Sequence, residues 1–88
     1  MIVIVTEEFQ KTLRKINNKA VSERVLETIE NIENASTMTD IRSLKKLKGY
    51  QTAFRIRIGD YRIGVHIVGD TVHFNRIANR KNIYDEFP

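Results

Sequence analysis

Residues Phe54 to Ile67 alternate between apolar and other side chains around a Gly59-Asp60 dipeptide. A period of two, interrupted by tight-turn residues, marks a β-hairpin with one buried face. Phe54, Ile56 and Ile58 fall on one side of the first strand, and Arg55 and Arg57 on the other. Past the turn, Tyr61, Ile63, Val65 and Ile67 extend the apolar row, while Arg62 lies opposite them. Any fold of this chain must bury one face of the hairpin. The other face then carries three guanidiniums that stay protonated near neutral pH. A rigid row of positive charge suits phosphate, and therefore RNA or DNA.

The rest of the chain fits around that hairpin. Gly69-Asp70 repeats the turn signal, so strands over about residues 50–58, 61–68 and 71–78 form an antiparallel meander with type II′ turns. In the last strand, Phe74 and Ile77 reach the same face only across a bulge. Residues 1–5 are rich in β-branched side chains and read as a first strand that pairs elsewhere in the sheet. Thr6 is the expected N-cap of a helix carrying Phe9, Leu13 and Ile16, with Glu7 and Glu8 in its first turn. Asn17-Asn18 breaks that helix. A second follows with Val21, Val25, Leu26, Ile29 and Ile32 on one face and Glu23, Glu27, Glu30 and Glu33 on the other.

Residues 34–40 read as a loop, and residues 41–49 as a segment anchored by Leu44 and Leu47. Residues 79–87 read as a short helix or tail. The expected order is βααβββ: one α+β domain over residues 1–88, with a helical hairpin packed on one face of a small, mainly antiparallel sheet.

Composition narrows the function. With 88 residues and 41% hydrophobic content, the chain can build one modest core. It has no cysteine, so a disulfide framework and a thiolate centre are excluded. The apolar start is too short for a signal peptide or a membrane span, and the expected location is the cytoplasm. Residues 1–41 hold five basic and seven acidic side chains, whereas residues 42–88 hold ten basic and four acidic. The net +4 is thus concentrated in the half that forms the meander, which points to a polyanionic partner. Lys45, Lys46, Lys48, Arg76 and Lys81 are the candidate RNA-binding residues around it. His66 and His73 lack ligand partners at useful spacing and are expected to lie at the surface or pack on the sheet. There is no Gly-rich phosphate loop and no nucleophile elbow, and neither cofactor nor metal is expected.

Two segments resemble the RelE/ParE superfamily of toxins from type II toxin–antitoxin systems. The run from Phe54 to Arg62, Phe-Arg-Ile-Arg-Ile-Gly-Asp-Tyr-Arg, is similar to a sheet motif common in that family. The run from Arg76 to Tyr84, Arg-Ile-Ala-Asn-Arg-Lys-Asn-Ile-Tyr, is similar to its C-terminal motif. The Leu-Lys-Lys-Leu-Lys-Gly stretch from Leu44 to Gly49 also fits.

The resemblance implies a RelE-like fold and an mRNA interferase. Such an enzyme cuts mRNA in the ribosomal A site without a metal, by attack of the ribose 2′-hydroxyl on the adjacent phosphate. It also implies a cognate protein antitoxin and toxin–antitoxin complexes of higher order. Carried over position by position, the catalytic residues are Arg55, Arg57, Arg62, Arg80 and Tyr84. The three sheet arginines suit binding and charge stabilisation, since arginine is a poor base. Arg80 would serve the leaving oxygen. Tyr84 is the candidate base or a stacking ring that needs no titration.

The chain departs from the motif at Asn79, where the family commonly has histidine, and at Phe54, Ala78 and Asn82. The alternative within the superfamily is a ParE-like toxin that poisons DNA gyrase without catalysis. The full basic set argues for the nuclease.

Overall fold

The computed structural model describes residues 1–88. Its elements are β1 (Ile2–Val5), α1 (Glu7–Ile16), α2 (Lys19–Asn34), β2 (Leu44–Lys46), β3 (Ala53–Ile58), β4 (Tyr61–Val68), β5 (Thr71–Asn79) and α3 (Ile83–Glu86), with a 3₁₀ turn at Met38–Asp40. The five strands form one sheet in the order β1-β5-β4-β3-β2.

The meander closes as its turn residues require. Ile58 pairs with Tyr61 and Val68 with Thr71, leaving two-residue loops. Gly59 (φ 62°) and Gly69 (φ 61°) take positive φ while the aspartates after them do not, which is the type II′ pattern. The expected bulge is present: Gly64 pairs with Arg76 but Val65 with Phe74, so Asn75 is the extra residue. Phe74 and Ile77 consequently both reach the core.

β1 runs parallel to β5 and pairs only with its first half, from Thr71 to Phe74. Beyond that point α1 covers the open edge. Buried Thr12 accepts a hydrogen bond from the Ile77 amide (3.1 Å) and donates one to the Phe9 carbonyl (2.9 Å). Thr6 caps α1 as expected, accepting from the Phe9 amide and donating to the Phe74 carbonyl at 2.7 Å. The two asparagines between the helices divide the work. Asn17 ends α1 in the left-handed region (φ 48°), and Asn18 caps α2 by accepting from the Val21 amide.

The main core lies between the helical hairpin and one sheet face. It includes Phe9, Val25, Ile32, Phe54, Ile56, Ile63, Val65, Phe74 and Ile77. Phe9 meets Phe74 edge to face, with ring centroids 5.3 Å apart.

Four sequence expectations need correction. Leu26 is exposed: Val25 and Ile32 define the buried stripe of α2, and Leu26 lies a third of a turn away from Val25. Residues 44–46 form a further edge strand pairing antiparallel with β3, so the sheet gains a member the βααβββ order lacked. That pairing also shortens the following strand, which starts at Ala53 because residues 47–52 make the connection back. Finally, residues 34–40 are not all loop. α2 runs to Asn34, and the 3₁₀ turn is held by the Asp40 carboxylate, which accepts from the amides of Ser36 and Thr37.

Candidate active site

The strand register places the basic residues against one another on the sheet face away from the helical hairpin. Arg57 lies directly opposite Arg62, and Lys45 directly opposite Arg55. Like charges at paired positions destabilise a sheet. No carboxylate relieves these pairs, because both ion pairs in the structure belong to Arg76.

Hydrogen bonds to backbone carbonyls hold the cluster in place. The Arg62 guanidinium donates to the carbonyls of Gly59 (2.8 Å) and Tyr61 (2.9 Å), fixing it at the β3–β4 turn. Arg55 donates to the Ser43 carbonyl at 3.1 Å, and its Nε is buried without an acceptor. The Ser43 carbonyl also accepts the Arg57 amide (3.3 Å), and Ser43 itself has positive φ (61°), a costly conformation for a serine.

Arg80 and Tyr84 approach this face from different elements, Arg80 from the turn before α3 and Tyr84 from α3 itself. Arg80 lies in the turn before α3, and its amide donates to the Asp60 carbonyl at 2.8 Å. That bond ties the C-terminal turn to the β3–β4 turn. The residues of the C-terminal segment that pack down on the sheet are Ile83 and Phe87, with Ala53, Ala78 and Leu47, in a second small core. Tyr84 is next to Ile83 and is 58% exposed.

The electrostatics nonetheless join all five residues. Burial, then the charges of Arg55 and Arg57, lower the Arg62 pKa from its ordinary value; Tyr84 acts in the opposite direction and Arg80 adds to the lowering. Asn79, at the position of the family's histidine, is engaged structurally: its side-chain oxygen accepts the Lys81 amide at 3.0 Å.

The other named residues are more scattered. Lys46 is exposed opposite Phe54, on the side of β2 away from Lys45, and Lys48 is exposed in the loop that follows. Lys81 is exposed beside Arg80. Arg76 is engaged by two carboxylates, Glu8 at the start of α1 (3.8 Å) and Glu86 in α3 (3.5 Å). His66 packs as expected. Its Nδ1 is 2.9 Å from the Thr52 hydroxyl, and its ring meets Phe87 with centroids 5.1 Å apart.

Sequence reasoning missed the pair that seats the C-terminal segment. Gly64 lies directly beneath the Phe87 ring, and any Cβ at that position would overlap ring carbons. The signal was available: a lone glycine inside a strand pattern marks a close approach by another group.

The family model described as the ParE toxin of type II toxin-antitoxin system, parDE, matches residues 3–84. This chain belongs to that family of toxins. It is 39% identical over 89 residues to Toxin RelE3 of Methanocaldococcus jannaschii, covering 100% of both chains. The toxin also superposes on a solved RelB-RelE antitoxin-toxin complex from Methanococcus jannaschii with a TM-score of 0.80 at 36% identity, covering 97% of this chain and 99% of that one. The RelBE2 toxin-antitoxin complex of Mycobacterium tuberculosis matches in fold, with a TM-score of 0.69 at 23% identity over 90% of this chain and 96% of that one. The RelE-like α+β architecture expected from the sequence is therefore the observed one.

Proposed function

We propose that this toxin is a ribosome-dependent, metal-independent mRNA endoribonuclease whose active site is the arginine face. The observation that carries this reading is the uncompensated charge of the sheet. Two like-charge pairs stand at paired strand positions, with Arg80 and Tyr84 within electrostatic reach of Arg62. A fold gains nothing from that arrangement, whereas an incoming phosphate does. Bidentate guanidinium–phosphate contacts are among the strongest available to a side chain.

In the reaction, the 2′-oxygen forms a bond to phosphorus as the bond from phosphorus to the 5′-oxygen breaks. The products are a 2′,3′-cyclic phosphate and a 5′-hydroxyl end. One proton leaves the 2′-hydroxyl and one reaches the 5′-oxygen. Arg55, Arg57 and Arg62 stabilise the charge gathering on the phosphoryl oxygens, and losing one such donor typically costs about 100–1,000-fold in rate. Arg80, on the turn bonded to Asp60, assists the departing oxygen. Tyr84 takes the 2′-proton or stacks on a base. With Asn79 in place of histidine, the chemistry rests on charge more than on an acid/base pair.

A protein antitoxin is the expected partner, supported by the RelB-bound state of the 36% identical relative. Acidic side chains of that partner would occupy the arginine face in place of phosphates. The expected site of action is the cytoplasm, where translating ribosomes are found.

The family model carries the ParE name, and that branch offers the second reading, a gyrase poison. Inducing the toxin and mapping the 5′ ends of cellular mRNA separates the two. Cuts within translated codons support the nuclease. Intact mRNA accompanied by gyrase-linked DNA breaks overturns it.

A further inference from the structure

β2 pairs with β3 only as far as Ile56, so past that point the outer edge of β3 has no strand beside it. α2 passes alongside. Between them lies a groove of ≈ 170 Å³ lined by nine residues, only two of them hydrophobic. Its walls carry three arginines: Arg24 from α2, Arg42 from the segment before β2, and Arg57 from β3. Arg57 also belongs to the arginine face, so the groove and that face meet at one residue.

The groove is built for an oxyanion. Its single carboxylate, Glu27, forms no ion pair with any of the three guanidiniums, since both ion pairs in the structure are made by Arg76. Asn31 also lines the groove, and its side-chain oxygen accepts the Arg42 amide at 3.4 Å. Little apolar surface is offered, so a peptide would find few places to bury side chains, whereas the affinity of a nucleic acid is dominated by its phosphates.

We propose that this groove is a second phosphate subsite, which holds a backbone phosphate of RNA next to the strand being cut. The proposal rests on the reading of the toxin as a ribonuclease. The phosphate belongs either to the message or to the ribosomal RNA that frames it.

The test measures binding of the purified toxin to two probes. One is a free RNA oligonucleotide blocked at every 2′-position by O-methylation. The other is a ribosome programmed with a message blocked in the same way at the A-site codon. The Arg24→Gln/Arg42→Gln variant should bind about tenfold more weakly, and its slope of log K against log salt should shrink by about 0.7 for the lost phosphate. Glu27→Gln should bind more tightly, an effect that misfolding cannot produce.

Weakening on both probes assigns the phosphate to the message. Weakening on ribosomes alone assigns it to ribosomal RNA. Unchanged binding of the double variant on both probes overturns the subsite. If the parent binds RNA but leaves an unblocked message uncut, the nuclease reading fails while the binding comparison still judges the groove.

Discussion

At the scale of single residues, the proposed active site sets function against stability. Folding lowers the Arg62 pKa, so its charged form costs stability at every pH below the folded value, which includes the whole physiological range. Arg57, directly across from Arg62, is the cleanest place to relieve that cost, because its exposed side chain makes no hydrogen bond within the toxin. Arg57→Gln should raise the melting temperature of the free toxin by roughly 1–5 °C, in line with the cost of a like-charged cross-strand pair. The same variant should cleave about 100-fold or more slowly. Added salt should narrow the stability gap between variant and parent, because it screens the repulsion. A thermal melt across a salt series checks both, and a destabilised variant would mean that the face is not under electrostatic strain.

At the scale of elements, α3 is only four residues long and depends on tertiary contacts to stay in place. Ile83 and Phe87 press it against the sheet, with the Phe87 ring seated on Gly64. Gly64→Ala should therefore lift the C-terminal segment and move Tyr84 away from Arg62, slowing cleavage although the variant changes no charged or titratable group. Hydrogen exchange should show faster exchange of the Phe87 amide, which donates to the Ile83 carbonyl at 2.8 Å, with the β3–β4 amides still protected. Unchanged exchange and cleavage would show that this seat does not position the site.

The elements also show what a sequence can convey. The meander, its II′ turns and the bulge near Phe74 were legible because each is enforced locally by period and turn chemistry. β2 was not, because three residues of Leu-Lys-Lys have no period of their own and become a strand only when β3 is alongside. Thr12 carries no signal of its own in the sequence, and only the early end of β1 turns it into a partner for the Ile77 amide. The five candidate site residues come from the two family motifs. The way Arg80 and Tyr84 reach the sheet was not legible, because it depends on the Asp60 carbonyl and on Gly64 beneath the Phe87 ring, both remote in sequence from the residues they position.

At the scale of the whole molecule, the helical hairpin packs on one side of a single sheet and the paired basic residues stand on the other. Guanidiniums converge on one face of the sheet. The expected chemistry is charge stabilisation by side chains alone. Chelation by EDTA should leave cleavage intact in an assay whose ribosomes keep the magnesium they need, and a strict requirement for a further divalent ion would contradict this. Binding to RNA should fall steeply with salt, as the phosphate contacts are screened.

The central claim is that the arginine face, completed by the C-terminal segment, is where RNA is cut. Single-turnover cleavage on programmed ribosomes tests it most directly, with toxin binding measured separately and folding checked by thermal melts. Arg62→Ala, Arg80→Ala and Tyr84→Ala should each fold and still bind, yet cleave about 100-fold or more slowly than the parent. Arg62→Lys should also be slow, because it keeps the charge but loses the planar fork. If all three alanine variants cleave at the parent's rate, the active site lies elsewhere on the molecule.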